Sequence, residues 1–397
     1  MRLNVRRLII FIVSIAILSV PVKFEAQAVD VDYSGVLRTV YCTTVKEIQG
    51  ALKDAKAGDR IIIAEGSYVG AWMTDGWFYS NASGTKENPI IIESENPKSP
   101  SELVGLRSSS GYVFSLVGSY WNINNLKFTN GQKGIMIDKG SYNIINGCEV
   151  YGVEMEGVHF RDGSSNNLLV NSKVYNTGTT RKGMGEGVYI GSDKGKWNEF
   201  VKECDNNIVR DCTIGPSVAS ESVDIKEGTT GTIIEGCTFI GDGISGENYA
   251  DSFIDVKGNQ AIIRNNKGYR NNNTNIVDAF QIHVQVEGWG IGNMFCNNDL
   301  YLDDGEAYIL NNSKGSATVL ENNRMPEGNM YKGPNIILEF MKEDINKDGK
   351  VNIEDLSIVA SKYNKVNGDI EFIERCDINK DRIIDLFDLV YVSKCIY

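Results

Sequence analysis

One short segment recurs along the chain at intervals of roughly 25 residues, and this repeat constrains the fold more than any other feature. Its clearest copies are Asn143-Ile-Ile-Asn-Gly-Cys148, Asn207-Ile-Val-Arg-Asp-Cys212 and Thr232-Ile-Ile-Glu-Gly-Cys237. A second segment lies between successive copies, as in Gly157-Val-His-Phe160 and Ser222-Val-Asp-Ile225. Both segments alternate with the two-residue period of strands, and such short strands enclose no core until neighbouring copies stack. The repeat therefore predicts an all-β chain, a parallel β-helix of eight or more coils with two strands in each coil.

The charge balance and the first residues indicate an exported protein. The chain carries 40 Lys and Arg against 52 Asp and Glu, a net charge of −12, which argues against a nucleic-acid partner. A basic start, an apolar run over 8–20 and the triplet Ala26-Gln27-Ala28 predict a signal peptide over 1–28. A retained N-terminal anchor is the alternative. No second long apolar stretch follows, so we expect a secreted mature chain without a membrane span.

The beginning of the mature chain carries a family resemblance. Apolar residues at helical spacing follow Thr44, the strand 60–64 comes next, and Gly84-Thr-Lys-Glu-Asn-Pro-Ile90 lies beyond it. This series resembles the N-terminal cap of right-handed β-helix polysaccharide lyases of the pectate, alginate and chondroitin lyase type. The resemblance implies a right-handed solenoid over 29–341 with a capping helix. It also implies cleavage of a uronate-containing, pectin-like polysaccharide by β-elimination.

The last residues, 342–397, contain two copies of a calcium-loop pattern. Each copy offers oxygen side chains at positions 1, 3, 5, 9 and 12 and a backbone carbonyl at position 7. The positions are Asp344, Asn346, Asp348, Lys350, Asn352 and Asp355 in the first copy, and Asp377, Asn379, Asp381, Ile383, Asp385 and Asp388 in the second. A single apolar-periodic helix follows each loop, at 356–363 and 386–393.

This pairing of loop and helix resembles a type I dockerin. The resemblance implies two bound Ca²⁺ ions, a cohesin module of a scaffoldin or cell-surface protein as partner, and a cellulosome-type or cell-surface location. Gly349 occupies the sixth position of the first loop, but Arg382 occupies it in the second, where a positive φ strains any residue except glycine. Cys376 and Cys395 bracket the last 20 residues and are a possible disulfide pair that would clamp this segment.

Aligning the second segment places polar residues in two columns on one face of the solenoid. The first column contains Met136, His159, Tyr189, Asp224, Asp255 and Gln281, and the second contains Asp138, Arg161, Gly191, Lys226, Lys257 and His283. Parallel strands lie about 4.8 Å apart, so Asp224 and Asp255 are expected to be neighbours. One of their pKa values should rise unless a cation lies between them.

These columns supply the groups that β-elimination needs. Lys226, Lys257 and His283 are the candidate bases, and Asp224 and Asp255 are candidates for catalysis and for a third Ca²⁺. His159, Arg161, Gln281 and Trp197 are the candidate substrate contacts. Adjacent carboxylates raise the pKa of a lysine and make it a poor base, an objection that metal on the aspartates would remove.

Three alternatives remain open from the sequence. On the simplest alternative, the two columns are only a ladder of compensating charges on a solvated sheet. A glycoside hydrolase acting on plant polysaccharide would use a pair of carboxylates. A non-catalytic β-helix would bind polysaccharide and be delivered by its dockerin.

Overall fold

Three long parallel sheets form a solenoid over most of the chain in the computed structural model, which describes residues 31–348 and 351–396. The predicted signal peptide over 1–28 and the loop residues Gly349 and Lys350 lie outside the described residues. The prediction of a parallel β-helix is confirmed. Each turn of the solenoid contributes one strand to each sheet, and successive turns stack in register.

Within the described residues, sheet 1 has 12 strands and sheets 2 and 3 have 10 strands each. Sheet 1 contains Arg38–Cys42, Asp59–Ile63, Ile90–Ser94, Trp121–Asn124, Ile144–Asn146, Leu168–Val170, Ile208–Arg210, Ile233–Glu235, Ile262–Arg264, Asn293–Cys296, Ala317–Leu320 and Ile336–Glu339. Sheet 2 contains Gly76–Ser80, Tyr112–Leu116, Lys133–Asp138, Val158–Arg161, Val188–Ile190, Val223–Ile225, Ile254–Val256, Asp278–Ile282, Tyr308–Asn312 and Tyr331–Lys332. Sheet 3 contains Ser67–Val69, Glu102–Val104, Lys127–Thr129, Glu149–Tyr151, Lys173–Tyr175, Thr213–Ile214, Thr238–Ile240, Lys267–Tyr269, Asp299–Tyr301 and Asn323–Met325.

The prediction of two strands in each coil is wrong, because the recurring first segment is two strands joined by a sharp bend. Ile144–Asn146 belongs to sheet 1 and Glu149–Tyr151 to sheet 3. The bend between them lies at Gly147, whose φ is 64°, and Gly236 and Asp211 bend later coils with φ of 65° and 51°. A single residue in the left-handed conformation bends the chain without lengthening the repeat. The period of the sequence therefore does not reveal the bend between the two strands.

Buried polar ladders hold the turns of neighbouring coils together. Asn167 Oδ1 accepts the backbone N–H of Asn143 at 2.9 Å, and Asn207 Oδ1 accepts that of Asn167 at 2.9 Å. The side-chain amides of these asparagines satisfy N–H groups in the turns that the parallel strand ladder leaves unpaired.

Cys212 and Cys237 occupy a second interior column and are 2% and 1% exposed, as expected for cysteines that pack like apolar side chains.

Helix α1, Val45–Lys53, covers the first coils as predicted. Thr44 and Glu47 form a capping box at its N-terminus, and Ile48 and Leu52 are buried against the solenoid interior. The apolar core of the first coils is thereby shielded from water.

The C-terminal module contains helices α2, Ile353–Ser361, and α3, Leu386–Cys395, after the two loops. Lys365–Val366 and Ile383–Ile384 form a small antiparallel pair, and short 3₁₀ turns occur here and in the solenoid at Lys182–Met184, Lys194–Lys196, Glu247–Tyr249 and Glu374–Cys376. The predicted pairing of Cys376 with Cys395 is wrong: both thiols are free, and Cys376 is buried in the small apolar core of the module. In the described part of the chain, no helix has the length and apolar character needed to cross a membrane.

Candidate functional site

The first predicted column stands on sheet 2 in the predicted order. Strand pairing joins Met136, His159, Tyr189, Asp224, Asp255 and Gln281 on successive coils. The alternative of a charge ladder on a solvated sheet is not supported, because the side chains of these columns are largely buried. His159, Asp224 and Asp255 are each 4% exposed, and Lys226 and Lys257 are each 7% exposed.

An ammonium group lies between the two stacked aspartates, which is the exception that the sequence allowed for. Lys257 Nζ is 2.8 Å from Asp224 Oδ1 and 2.6 Å from Asp255 Oδ2. Burial alone would raise the pKa of Asp255, but Lys257 and the hydrogen bond with His283 hold the pKa of this carboxyl well below its usual range. Cationic side chains of the protein itself therefore compensate the charges of Asp224 and Asp255.

Lys226 is held less tightly than Lys257. Its Nζ lies 3.2 Å from Asp224 Oδ2 and 5.1 Å from the centre of the Tyr189 ring. Burial lowers the pKa of both ammonium groups, but Asp224 outweighs burial, and the pKa values of Lys226 and Lys257 are raised. The sequence-based objection to a lysine base therefore holds while Asp224 stays uncompensated by metal.

His283 pairs with the far end of this cluster. Its Nδ1 lies 3.1 Å from Asp255 Oδ2, and this hydrogen bond raises the pKa of His283. The contact fixes the neutral tautomer with hydrogen on Nδ1 and leaves Nε2 as an acceptor. Gln281 is less available, since its Nε2 donates to Asp251 Oδ1 at 2.8 Å and to Asp278 Oδ2 at 2.9 Å.

A column of buried glutamates lies beside the predicted columns, and none of its members is among the predicted site residues. Glu156, Glu186 and Glu221 precede the strands of three consecutive coils. Burial raises the pKa of Glu186 well above its usual value, and Glu156 and Glu221 add to the rise. Burial and Asp224 raise the pKa of Glu221 to about 7. The missed signal was the repeated Glu-Gly-Val or Glu-Ser-Val at the start of each strand.

Glu156 differs from its neighbours because it has a cation. Lys133 Nζ lies 2.8 Å from Glu156 Oε1. Although burial alone would raise the pKa of Glu156, Lys133 and His159 lower it to about 2. Glu186 and Glu221 have no such partner among the described residues.

Three of these carboxylates fit a divalent cation. Oxygen atoms of Glu186, Glu221 and Asp224 lie within 4.8 Å of one another, and all three residues are buried. Glu186 Oε2 has no hydrogen-bond partner in the described structure. An all-oxygen set of this kind suits Ca²⁺. It is a better place for the ion than the predicted pair Asp224 and Asp255, where Lys257 already lies between the carboxylates.

One wall of the site is the segment 191–205, which follows the Tyr189 strand. Trp197 Nε1 donates to Ser192 O at 3.1 Å, and Lys202 Nζ lies 5.0 Å from the Trp197 ring and 5.7 Å from the Trp289 ring. Lys194 N–H donates to Glu227 Oε1 at 2.8 Å. The predicted substrate contact Trp197 is thus half-buried in a wall that extends over several coils.

His159 and Arg161 support this wall from below. His159 Nε2 donates to Gly191 O at 2.9 Å, and its Nδ1 accepts from Lys133 Nζ at 3.3 Å. Arg161 makes two 2.8 Å hydrogen bonds to Asp138, and its guanidinium lies 4.1 Å from the centre of the Phe200 ring. Both ring nitrogens of His159 are occupied by protein atoms. These two residues hold the wall in this arrangement, and the partners of both side chains are protein groups.

The opposite wall consists of the turns Lys182–Met184 and Glu247–Tyr249. They belong to the coils of Tyr189 and Asp255, and they meet above the short turn of the Asp224 coil. Asn248 Nδ2 donates to Gly183 O at 2.9 Å across this meeting point. The columns of sheet 2 therefore form the floor of a groove with two walls.

The two calcium loops of the C-terminal module repeat each other in detail. Asp355 Oδ1 accepts the N–H groups of Ile345 and Asn346, and Asp388 Oδ1 accepts those of Ile378 and Asn379. Asp344 and Asn346 both accept the N–H of Asp348, and Asp377 and Asn379 accept that of Asp381 in the same way. The other predicted ligands within the described residues, Asp348, Asn352, Asp381, Ile383 and Asp385, stand at the matching loop positions. Carboxylate and amide oxygens at these places fit Ca²⁺. Lys350 lies outside the described residues.

Comparisons with known proteins agree with both modules. A family model for the Pel9A-like right-handed β-helix region matches residues 31–211, and one for the type I dockerin domain matches residues 342–396. Type I dockerin domains bind calcium. No curated protein sequence matches the chain significantly.

Among solved structures, an alginate lyase from Paenibacillus sp. str. FPU-7 is 50% identical, with a TM-score of 0.73, over 76% of this chain and 99% of that lyase. The pectate lyase Pel9A is 18% identical, with a TM-score of 0.57, over 77% of this chain and 79% of its own. A rhamnogalacturonan lyase is 15% identical, with a TM-score of 0.56, over 77% of this chain and 88% of its own. The last two share the fold.

Half of the aligned residues are identical across nearly the whole Paenibacillus enzyme. The chain therefore belongs to the family of that alginate lyase, the right-handed β-helix polysaccharide lyases, and carries a type I dockerin at its C-terminal end.

Proposed function

We propose that this polysaccharide lyase cleaves a uronate polymer of the alginate type by β-elimination. One observation carries the proposal: Lys226 and Tyr189 lie together on the floor of the groove, beside the acidic triad Glu186, Glu221 and Asp224. The 50% identity to an alginate lyase favours alginate over pectin as the first substrate to test.

The spacing of the coils favours Lys226 and Tyr189 as the reacting pair. They lie on adjacent coils, whereas His283 is three coils away from Tyr189, or about 14 Å at the usual strand separation. Two groups so far apart do not contact the same C4–C5 bond. Lys257 is the weaker candidate base, because two carboxylates hold its ammonium group. His283 is then assigned to a neighbouring sugar residue.

The proposed reaction removes a proton and a leaving group from one uronate residue. Lys226 Nζ, in its neutral form, takes the C5 proton, the C4–O bond breaks, and a C4=C5 double bond forms. Tyr189 donates its phenolic proton to the departing oxygen. Burial and Asp224 raise the pKa of Tyr189 well above its usual value, so the phenol retains its proton at neutral pH.

Calcium at Glu186, Glu221 and Asp224 would prepare this pair. When bound, a cation there neutralises Asp224, which is the group that raises the pKa of Lys226. Lys226 then loses its proton at lower pH. The proton transfers themselves would still be carried out by Lys226 and Tyr189.

The glycoside hydrolase alternative is weakened by the same geometry. A retaining or inverting hydrolase needs one carboxyl group as acid and another as nucleophile or base. Here Lys257 bridges Asp224 and Asp255, and because the pKa of Asp255 is lowered, Asp255 is not a proton donor near neutral pH.

The test compares products and variants. The protein is incubated with alginate, polygalacturonate and a neutral glucan, and ultraviolet absorbance of the unsaturated uronate is followed together with reducing ends. We expect absorbance with alginate, and a loss of roughly a hundredfold or more in kcat for Lys226→Ala and for Tyr189→Phe. The matched variant Lys173→Ala, exposed on sheet 3, should keep full activity. Reducing ends without absorbance would contradict the proposal.

We further propose that the dockerin attaches this enzyme to a cohesin module outside the cell, in a cellulosome or on the cell surface. The paired calcium loops and the exposed apolar residues Leu386 and Phe387 on α3 support this placement. Calorimetric titration with a cohesin, with and without a calcium chelator, tests it. We expect binding only with calcium present.

A further inference from the structure

We propose that the wall formed by Lys182–Met184 and Glu247–Tyr249 carries a second subsite, which binds a uronate residue of the polymer away from the residue that is cleaved. This inference rests on the proposed function, since it takes the substrate to be a uronate polymer. It adds a binding site to the rim of the groove that the reaction itself does not require.

A shallow surface depression of about 350 Å³ lies where the two turns meet. It is lined by Arg181, Lys182, Gly183, Met184, Glu247 and Asn248. The 2.9 Å hydrogen bond from Asn248 Nδ2 to Gly183 O joins the turns at this place. An open depression of this size admits one sugar residue of a polymer that lies along the wall.

The lining of the depression suits a sugar carboxylate. Lys182 is exposed, and within the described residues no carboxylate lies in ion-pair distance of it. The Arg181 side chain is 54% exposed and touches Glu154 at 3.4 Å through Nε, which leaves the outer edge of the guanidinium accessible. Arginine and lysine side chains that line one depression can both donate hydrogen bonds to a carboxylate, and Glu247 offers an acceptor for sugar hydroxyl groups.

Tyr249 gives a second, independent indication. Tyr249 is 81% exposed. Tyr249 and the preceding Asn248 both lie in the left-handed region, with φ of 66° for Tyr249 and 56° for Asn248. A bulky residue at positive φ costs energy, and such strain concentrates at binding and catalytic sites. An exposed tyrosine ring on the same wall as Arg181 and Lys182 is suited to contact the apolar face of a sugar.

The wall is continuous with the floor of the groove. Met184 lies two residues before Glu186, and Tyr249 lies two residues before Asp251, whose Oδ1 accepts a hydrogen bond from Gln281 at 2.8 Å. A polymer lying over Tyr189 and Asp224 therefore passes this rim.

The test is affinity electrophoresis through gels that contain sodium alginate or a neutral hydroxyethyl cellulose. All proteins carry Lys226→Ala so that the polymer stays intact. We expect Arg181→Ala with Lys182→Ala to weaken alginate retardation roughly three- to tenfold, the scale of two exposed ionic contacts, and Tyr249→Ala to weaken it as well. The matched control is Lys173→Ala with Lys267→Ala, which removes the same charge from the outer face of sheet 3 and should leave retardation unchanged.

A kinetic arm repeats the comparison without Lys226→Ala. We expect the Arg181 and Lys182 double variant to raise KM for long alginate by the same factor, with kcat unchanged. Unchanged retardation, or an equal loss in the control, would overturn the subsite. Absence of unsaturated products from the parent protein would overturn the proposed reaction instead, and the gel experiment would still report on the subsite.

Discussion

At the residue scale, neighbouring carboxylates on the floor of one groove differ because their cations differ. Asp255 has Lys257 and His283 and ionises readily, whereas Glu186 and Glu221 lie beside other carboxylates and resist ionisation. Burial acts on all of them in the same direction. The identity of the nearest charged neighbour therefore decides the protonation state.

This difference predicts how stability depends on pH. The pKa of Glu221 is raised from 4.5 to about 7, so the unfolded chain releases this proton first as pH rises, and the free energy of unfolding falls across that window. The loss is on the order of 3 kcal/mol for a shift of this size. In the presence of a chelator, Glu221→Gln should flatten the decrease of melting temperature between these pH values. The exposed control Glu87→Gln should keep the full decrease, and equal slopes for both variants would refute the assignment.

Arg382 predicts unequal calcium loops. It stands at the sixth position of the second loop with φ of 75°, and its N–H donates to Asp377 Oδ2 at 2.9 Å. A side chain in this region costs about 1–2 kcal/mol, which glycine avoids. Arg382→Gly should therefore tighten calcium binding at the second loop roughly tenfold, measured by calorimetric titration. Arg382→Ala separates strain from charge, because it removes the guanidinium and keeps Cβ; the same gain with alanine would show that strain is not the cause.

At the element scale, the segment 191–205 is an insertion that is fastened to the sheet below it at several places. The ring of His159 is engaged by its hydrogen bond to the Gly191 carbonyl, and the guanidinium of Arg161 packs against the Phe200 ring. Asp162 Oδ1 accepts the Val201 N–H at 2.8 Å. A loop fastened at both ends and in the middle is a fixed wall and needs no ligand to order it.

Removing one fastening should loosen the wall without unfolding the solenoid. Arg161→Ala deletes the Phe200 contact and both hydrogen bonds to Asp138. We expect faster proteolysis within 191–205, a melting temperature lowered by only a few degrees, and a higher KM. Lys173→Ala, an exposed change on the outer face of sheet 3, should alter none of the three. If proteolysis occurs elsewhere first, the wall is not the element that Arg161 stabilises.

At the scale of the whole molecule, a solenoid of stacked coils is joined to a small calcium module through almost no linker. The last strand of sheet 1 ends at Glu339, and the first loop begins at Asp344. Each module has its own apolar core. Separate cores predict separate unfolding transitions.

Calcium should therefore act on one transition more than the other. At a free calcium concentration one hundred times the dissociation constant, each filled loop adds about 2.7 kcal/mol to the dockerin. Chelation should lower the melting temperature of that module strongly and that of the solenoid slightly. A chain truncated after Met341 should keep the solenoid transition. A large calcium effect in the truncated chain would report an occupied site at Glu186, Glu221 and Asp224.

The sequence by itself determined the parallel β-helix, the capping helix, the order of the sheet 2 column and the calcium loops. Each of these features follows from a residue period or spacing in the sequence, because local chain geometry relates such patterns directly to strands, helices and loops. The third strand of each coil was missed because a single left-handed residue such as Gly147 bends the chain without interrupting the repeat. Tyr189 stood in the predicted column, but nothing in its spacing marked it as a partner of Lys226.

Only the tertiary structure decided which charges meet and which face is buried. Lys257 lies between Asp224 and Asp255, and Glu186 joins Glu221 and Asp224, because coils distant in sequence stack within one strand spacing. His159 and Arg161 support a wall because an insertion folds back over them. Contacts of this kind depend on where loops of unequal length return to the sheet, and a residue pattern does not contain that information.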